Sequence, residues 1–272
     1  MSDSMRDQSS TDTPNGVCSA PPNGFNIQAA RRLGDLDAQG HFWLQHRTRL
    51  IRHLLRRRQL KNGGPWKQAL ELGCGTGQSL RDLESLAVHV TAVDGHPTLL
   101  EAAKQRTSKT NLHHRDVTST GLPTGQYDLI CAFDVLEHVN PDDFLGEARR
   151  LATNDADLLI SVPAGQYLWS QMDEAAGHRC RYDAQMLRSE MNRNEWLPGW
   201  HTHYQFLLLP LLYASRRWAS SNNHVKRERL PSPLVAGTLS LINRLEVGGF
   251  NAVPLPWGSS LFMWARARGS RP

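Results

Sequence analysis

The run Glu71-Leu-Gly-Cys-Gly-Thr-Gly77 constrains this chain more than any other segment, because it joins an apolar strand pattern, Gln68 to Leu72, to a helix pattern through Leu80, Leu83 and Leu86. Glycines at such a junction let the backbone turn sharply and let a ligand approach where a Cβ atom would otherwise stand, while the helix start offers unpaired N–H groups. Gly73, Gly75 and Gly77 therefore predict a loop on which something bulky rests. A dinucleotide fingerprint, G-x-G-x-x-G, would need a glycine at position 78. That position is Gln78, and the last glycine comes one residue early.

Downstream, the pattern repeats the alternation of strand and helix. A second strand, Val88 to Val93, ends at Asp94-Gly95, where an α/β nucleotide-binding fold places a carboxylate for the ribose hydroxyls. The next helix opens at Pro97, a residue suited to a first turn that has no use for its missing N–H. Asn111 to Val117 reads as a weaker third strand, with Asp116 at its end. Tyr127 to Phe133 is a buried strand, stopped by Asp134-Val-Leu-Glu-His-Val139. Asn140 then caps a helix whose first turn holds Asp142 and Asp143, acidic residues that suit the positive end of the helix dipole. Asp157 to Val162 is a fifth strand. This rhythm implies a parallel sheet with helices on both faces.

The flanks are different in character. Residues 1–24 are rich in Ser, Asp, Thr, Asn and Pro and read as a disordered tail without a secretory signal. Within residues 25–64, apolar Trp43, Leu50, Ile51, Leu54 and Leu55 recur at helical spacing opposite Arg49, Arg52, Arg56 and Arg57, which predicts an N-terminal helical cap. Residues 65–165 form the core. Residues 166–259 hold a helix capped by Asp183, a sixth strand from Trp196 to Phe206, and two apolar helices near 206–219 and 234–247. Ser260 to Ala267 closes the chain as an edge strand. The longest apolar stretch, Phe206 to Ala214, is too short to span a bilayer. Cys18, Cys74, Cys131 and Cys180 stand far apart, without metal-ligand spacing, which fits no zinc site, no disulfide framework and a cytoplasmic location. The net charge of +5 is carried largely by helix-spaced arginines, the pattern of a solvated helix face.

Taken together, E-L-G-C-G-T-G at 71–77, V-D-G at 93–95, R-D-V at 115–117 and Y-D-L-I-C-A-F-D-V-L-E-H-V at 127–139 resemble the class I S-adenosylmethionine-dependent methyltransferases. The resemblance covers about residues 40–165. It implies an α/β fold: a Rossmann-like doubly wound sheet of about seven strands with the last one antiparallel, an N-terminal helix, and inserted C-terminal helices forming a substrate cap. It further implies S-adenosylmethionine as cofactor. Glu71, Gly73, Gly75 and Gly77 would lie against its methionine part, Asp94 and Gly95 at the ribose, Asp116 and Val117 at the adenine, and Phe133 and Asp134 beside the sulfonium. Arg47, or else Arg49, matches an arginine that in related quinone-pathway enzymes pairs with the cofactor carboxylate. His41-Phe-Trp-Leu-Gln-His-Arg47 and Gly177-His-Arg-Cys-Arg-Tyr182 also look like a bacterial subgroup whose substrates are mostly unassigned.

Methyl transfer from a sulfonium is an in-line displacement in which alignment supplies roughly 7–11 kcal/mol, so a sparse catalytic apparatus suffices. His138, just after the fourth strand, is the first candidate to deprotonate an acceptor hydroxyl, and His178, flanked by Arg179 and Arg181, is the second. The expected acceptor is a small or lipid-like molecule, apolar or anionic, with contact to an anionic membrane surface as an added role for the apolar helices. An RNA or protein methyltransferase is the alternative within the class. No D-P-P-Y, N-P-P-Y or Pro-Cys nucleophile segment favours nucleic acid. An NAD-dependent oxidoreductase or a non-catalytic cofactor-binding protein is the alternative outside it.

Overall fold

A computed structural model describes residues 27–40, 42–221, 233–249 and 254–269, and the expectation for residues 1–24 lies outside them. In chain order the elements are α1 (Ile27–Ala38), α2 (Phe42–Asn62), β1 (Trp66–Leu72), α3 (Leu80–Glu84), β2 (Ala87–Asp94), α4 (Pro97–Lys104), β3 (Thr110–His114), β4 (Tyr127–Phe133), α5 (Pro141–Leu151), β5 (Ala152–Pro163), α6 (Gln171–Ala176), α7 (Ala184–Arg193), β6 (Trp196–Tyr204), α8 (Leu209–Ser221), α9 (Pro233–Gly249) and β7 (Ser260–Ala267).

The strands form one sheet in the order β3-β2-β1-β4-β5-β7-β6. Strands β1 to β5 run parallel, and β7 is antiparallel to both β5 and β6. The Rossmann-like α/β expectation with an antiparallel last strand therefore holds. One detail is corrected: β7 is not an edge strand, because β6 pairs along its outer side. The chain winds outward from β1 to β3 and then returns to β4 on the other side of β1. That reversal makes the carboxyl ends of β1 and β4 the topological switch point, the place where such sheets take ligands.

Alternation along the strands sorts their side chains onto two faces, as a period of two requires. Leu70, Leu72, Ile130, Ala132, Leu158 and Ile160 pack against Phe144, Leu145, Ala148 and Leu151 of α5 and Leu187 and Met191 of α7. The opposite face sends Ala69, Leu129, Cys131, Leu159, Phe262 and Trp264 against Leu50, Ile51, Leu54 and Leu55 of α2. The apolar stripe of α2 is thus the one its spacing predicts, and burial of that stripe locks the helix over the sheet. Arg58 of α2 adds a two-pronged ion pair to Asp157 in the middle of β5, which begins at Ala152 and not at Asp157 as its sequence suggests, with Nε 3.0 Å from Oδ2.

The two insertions leave the sheet at the same edge as the glycine loop. Pro163 ends β5 and Ser260 starts the antiparallel β7 directly beside it, so residues 164–183 and α9 both depart from the carboxyl side. Asp183 and Asn140 cap α7 and α5 as their sequence positions predict. Cys180 is disulfide-bonded, contrary to the expectation of isolated thiols, whereas Cys74 and Cys131 are free and buried. Among the described residues, no helix is long and apolar enough to cross a membrane.

Candidate cofactor and acceptor site

Gly73 turns out of β1 with φ +75°, a conformation that side-chain-bearing residues rarely adopt. A Cβ there would stand 2.4 Å from Val135 Cγ2, so the loop lies directly on the segment that follows β4. At Gly77 the same atom would meet Ala103 of α4 at 3.0 Å. These two glycines serve close backbone packing. Gly75 differs: the nearest neighbour of an added Cβ would be Leu33 Cδ2 of α1, at an ordinary 3.5 Å. A single added carbon would fit without a clash only at the middle glycine, where Leu33 of α1 lies against the loop.

Asp94 at the end of β2 reaches under this loop. The Gly75 N–H donates to Asp94 Oδ2 at 2.7 Å, and the His96 N–H donates to Oδ1 at 2.8 Å. The carboxyl is only 6 % exposed, and burial raises its pKa despite those two donors. Glu71 is also buried and accepts from Ser79 Oγ at 2.5 Å. Burial pushes its pKa up to about 8, against the opposing pull of the Ser79 hydroxyl and Arg47.

Arg47 projects from α2 and forms an ion pair with Asp134. Asp134, just past β4, has φ +58° and accepts from Ser161 Oγ at 3.0 Å, so a residue in an unfavourable backbone region is held from two sides. Arg49 faces elsewhere, with Nη1 3.2 Å from His46 Nδ1. Helix α1 adds a cover: Asp37 accepts from Gln78 Nε2 at 2.6 Å and pairs with Arg106 at 2.7 Å.

The third strand stops sooner than its sequence suggests. β3 ends at His114, so Asp116 lies in the following turn, where its Oδ1 accepts from the Thr118 N–H and Oγ1. Val117 packs against the core, and Gly95 sits in the turn between β2 and α4, its carbonyl 3.0 Å from His114 Nε2. Asp116 and Val117 still fall on the carboxyl side of the sheet, next to the end of β2.

His138 and His178, distant in sequence, meet with ring centroids 4.9 Å apart. Desolvation lowers the His138 pKa to about 3, with help from His178, so the ring is neutral at physiological pH. His178 Nδ1 is 2.9 Å from Asp173 Oδ1. Asp173 also accepts from Arg181 Nε at 2.9 Å and from Arg216 Nη1 of α8 at 2.9 Å. Burial alone would raise its pKa, but His178 and the two guanidiniums together hold it well below the usual carboxylate range. Sequence reasoning missed Glu137, which is 1 % exposed and sits with these histidines. Burial pushes its pKa far upward, and the nearby Asp134 charge pushes the same way. The Glu-His dipeptide was the signal for it, but its complete burial appears only in the fold.

A protein-family model described as "Methyltransferase domain" matches residues 70–160. A probable S-adenosylmethionine-dependent methyltransferase of Mycobacterium tuberculosis is 25% identical over 153 residues, 56% of this chain and 53% of that protein. The mitochondrial ubiquinone biosynthesis O-methyltransferase of Schizosaccharomyces pombe is 35% identical over 129 residues, 44% of this chain and 46% of that protein. The chain thus spans about half the length of the curated relatives it matches. Among solved structures, the geranyl diphosphate C-methyltransferase of Streptomyces coelicolor, in complex with Mg2+, geranyl diphosphate and S-adenosyl-L-homocysteine, covers 75% of this chain and 74% of its own at 16% identity, with TM-score 0.51, and shows the fold alone. The switch point between β1 and β4, the glycine loop with its carboxylate partner, and the family match fall on the same stretch of chain: residues 70–160 are similar to a methyltransferase domain.

Proposed function

We propose that this chain transfers a methyl group from S-adenosylmethionine to a small, lipid-like or anionic organic acceptor. The observation that carries the reading is the 2.7 Å hydrogen bond from the Gly75 N–H to Asp94 Oδ2. It fixes a buried carboxylate beside the middle glycine of the loop, at the carboxyl ends of the parallel strands. The residues fit the cofactor: Asp94 would hold the ribose, Gly73, Gly75 and Gly77 the methionine part, Asp116 and Val117 the adenine, and Phe133 and Asp134 the region of the sulfonium. Arg47, already at Asp134, is within the site's reach for an anionic carboxylate. When bound, the cofactor supplies an electrophilic methyl group.

The chain's own residues then orient the acceptor, exclude water and move one proton. His138 is the first candidate to take a hydroxyl proton and His178 the second; burial keeps the His138 ring neutral, and the same burial, which lowers its pKa to about 3, makes it a weak base. Arg179 and Arg181 bring positive charge to the same segment. The lipid-like preference draws on the apolar outer surfaces of α8 and α9, where Leu211, Leu241 and Leu245 are exposed. A relative named for ubiquinone biosynthesis supports the same class.

The test is calorimetry with S-adenosylhomocysteine and NADH, followed by incubation of the enzyme and methyl-labelled cofactor with small-molecule extracts. Asp94→Ala removes two charge-assisted ribose hydrogen bonds, each contributing about 1.5–3 kcal/mol, so affinity should fall roughly 10²–10⁴-fold while the protein stays folded. Unchanged affinity in that variant, or tight binding of NADH alone, would overturn the assignment. Label recovered only in polymer would move the acceptor to RNA or protein.

A further inference from the structure

Neither carboxylate oxygen of Glu137 has a hydrogen-bond partner among the described residues, although the side chain is almost wholly buried. A buried carboxyl group with neither oxygen hydrogen-bonded is a costly arrangement in either protonation state, and a bound cation is one way to satisfy it. Two imidazoles stand beside it. One ligand-type atom from each of Glu137, His138 and His178 lies within 4.8 Å of the other two, and His138 Nε2 is 4.0 Å from Glu137 Oε1.

The rings are oriented in a particular way. His178 Nδ1 is 2.9 Å from Asp173 Oδ1, and His138 Nδ1 is 3.3 Å from the Gly177 carbonyl oxygen. Each ring therefore turns Nδ1 toward a fixed oxygen, which sets the tautomer that makes Nε2 the donor atom for a metal. The two segments are also stitched together. The Arg179 N–H donates to the Glu137 carbonyl at 2.8 Å, and Arg179 Nη1 donates to the Val139 carbonyl at 2.5 Å.

We infer that Glu137, His138 and His178 bind one divalent transition-metal ion of the zinc type, through the carboxylate and the two Nε2 atoms. Ligands at about 2.0–2.1 Å in a tetrahedron stand about 3.3 Å apart, so closure from the present spacing needs a contraction of at most about 1.5 Å, which side-chain rotation provides. The ion's charge answers the buried carboxylate, and three protein ligands leave one position open. Val135, two residues from Glu137, lies against Gly73, so the three ligands stand close to the glycine loop. Use of the open position by an oxygen atom of the methyl acceptor would take the place of a free His138 or His178 base and rests on the methyl-transfer reading; metal binding itself does not.

The full chain, dialysed against a chelator, is titrated with cobalt(II) and then with zinc. Wild type is expected to take up one ion per chain, with cobalt showing the absorption bands of a low-symmetry site and zinc displacing it. Glu137→Gln keeps the shape of the side chain and removes its charge; it should melt no lower than wild type and bind zinc more than tenfold more weakly, as should His178→Ala. His89→Ala, on the exposed side of β2, should leave zinc binding unchanged. Absence of uptake by wild type, or uptake that Glu137→Gln and His178→Ala leave intact, overturns the site. Calorimetry with S-adenosylhomocysteine on the same metal-free protein reads the cofactor assignment separately. Cofactor binding without zinc uptake removes the metal alone, and zinc uptake without cofactor binding removes the methyltransferase reading alone.

Discussion

Replacement of Gly73 by alanine tests how tightly the cofactor loop is built onto the segment after β4. Two costs arise. At φ +75° an alanine carries roughly 1–2 kcal/mol of left-handed strain. Its Cβ would also stand 2.4 Å from Val135 Cγ2, a distance at which a buried branched side chain must move, and overpacking of this kind costs typically 1–3 kcal/mol. Gly73→Ala should therefore lose about 2–5 kcal/mol, read from urea unfolding as a lower midpoint at an unchanged slope. The two costs separate in a cycle with Val135→Ala, which removes the clash and leaves the backbone strain. A favourable coupling of about 1–3 kcal/mol is expected between the two changes. A Gly73→Ala protein within about 0.5 kcal/mol of wild type, or a cycle with no coupling, would refute the close approach.

Further outcomes concern charge and chemistry. Arg150 and Thr120 hold the Glu147 pKa down to about 2, below its unfolded value, so this contribution is present above about pH 4.5 and is lost as pH falls toward 2. Glu147→Gln should cost about 1–2 kcal/mol at neutral pH, after discounting for the exposed part of Arg150, and should blunt acid unfolding; an unchanged acid limb would count against the pair. Glu71 has the opposite sign: with its pKa raised to about 8, its contribution is full below about pH 4.5 and declines as pH rises through 8. Melting temperatures of Glu71→Gln should accordingly fall less than those of wild type between pH 6 and pH 9, and parallel curves would contradict the burial argument. For His138→Ala, cofactor affinity should persist while turnover is lost, and full activity would remove the imidazole from the reaction.

Much of this architecture was legible because its signals are local. The strand from Tyr127 to Phe133 and the last strand, Ser260 to Ala267, have the bounds their sequences predict. Asn140 and Asp183 announced their helices through capping chemistry. What stayed hidden depends on partners far along the chain. The seat of β7 between β5 and β6 is a matter of strand pairing, which no local pattern encodes. The polar run at β3 could not tell where pairing with β2 stops, so Asp116 was assigned to a strand end instead of a turn. Glu137 reads as an ordinary surface acid until helix α5, Tyr182 and the 177–182 segment close around it.

Asp173 gathers three side chains from two separate parts of the chain onto two oxygens: His178 and Arg181 of the 177–182 segment and, from helix α8, Arg216. A displacement of α8 would withdraw one cation and leave the remaining two to share the anion on new terms. The seat of α8 and the aim of the imidazole are thereby geared to each other, so a substitution on the outer helix can alter chemistry at a ring it never touches.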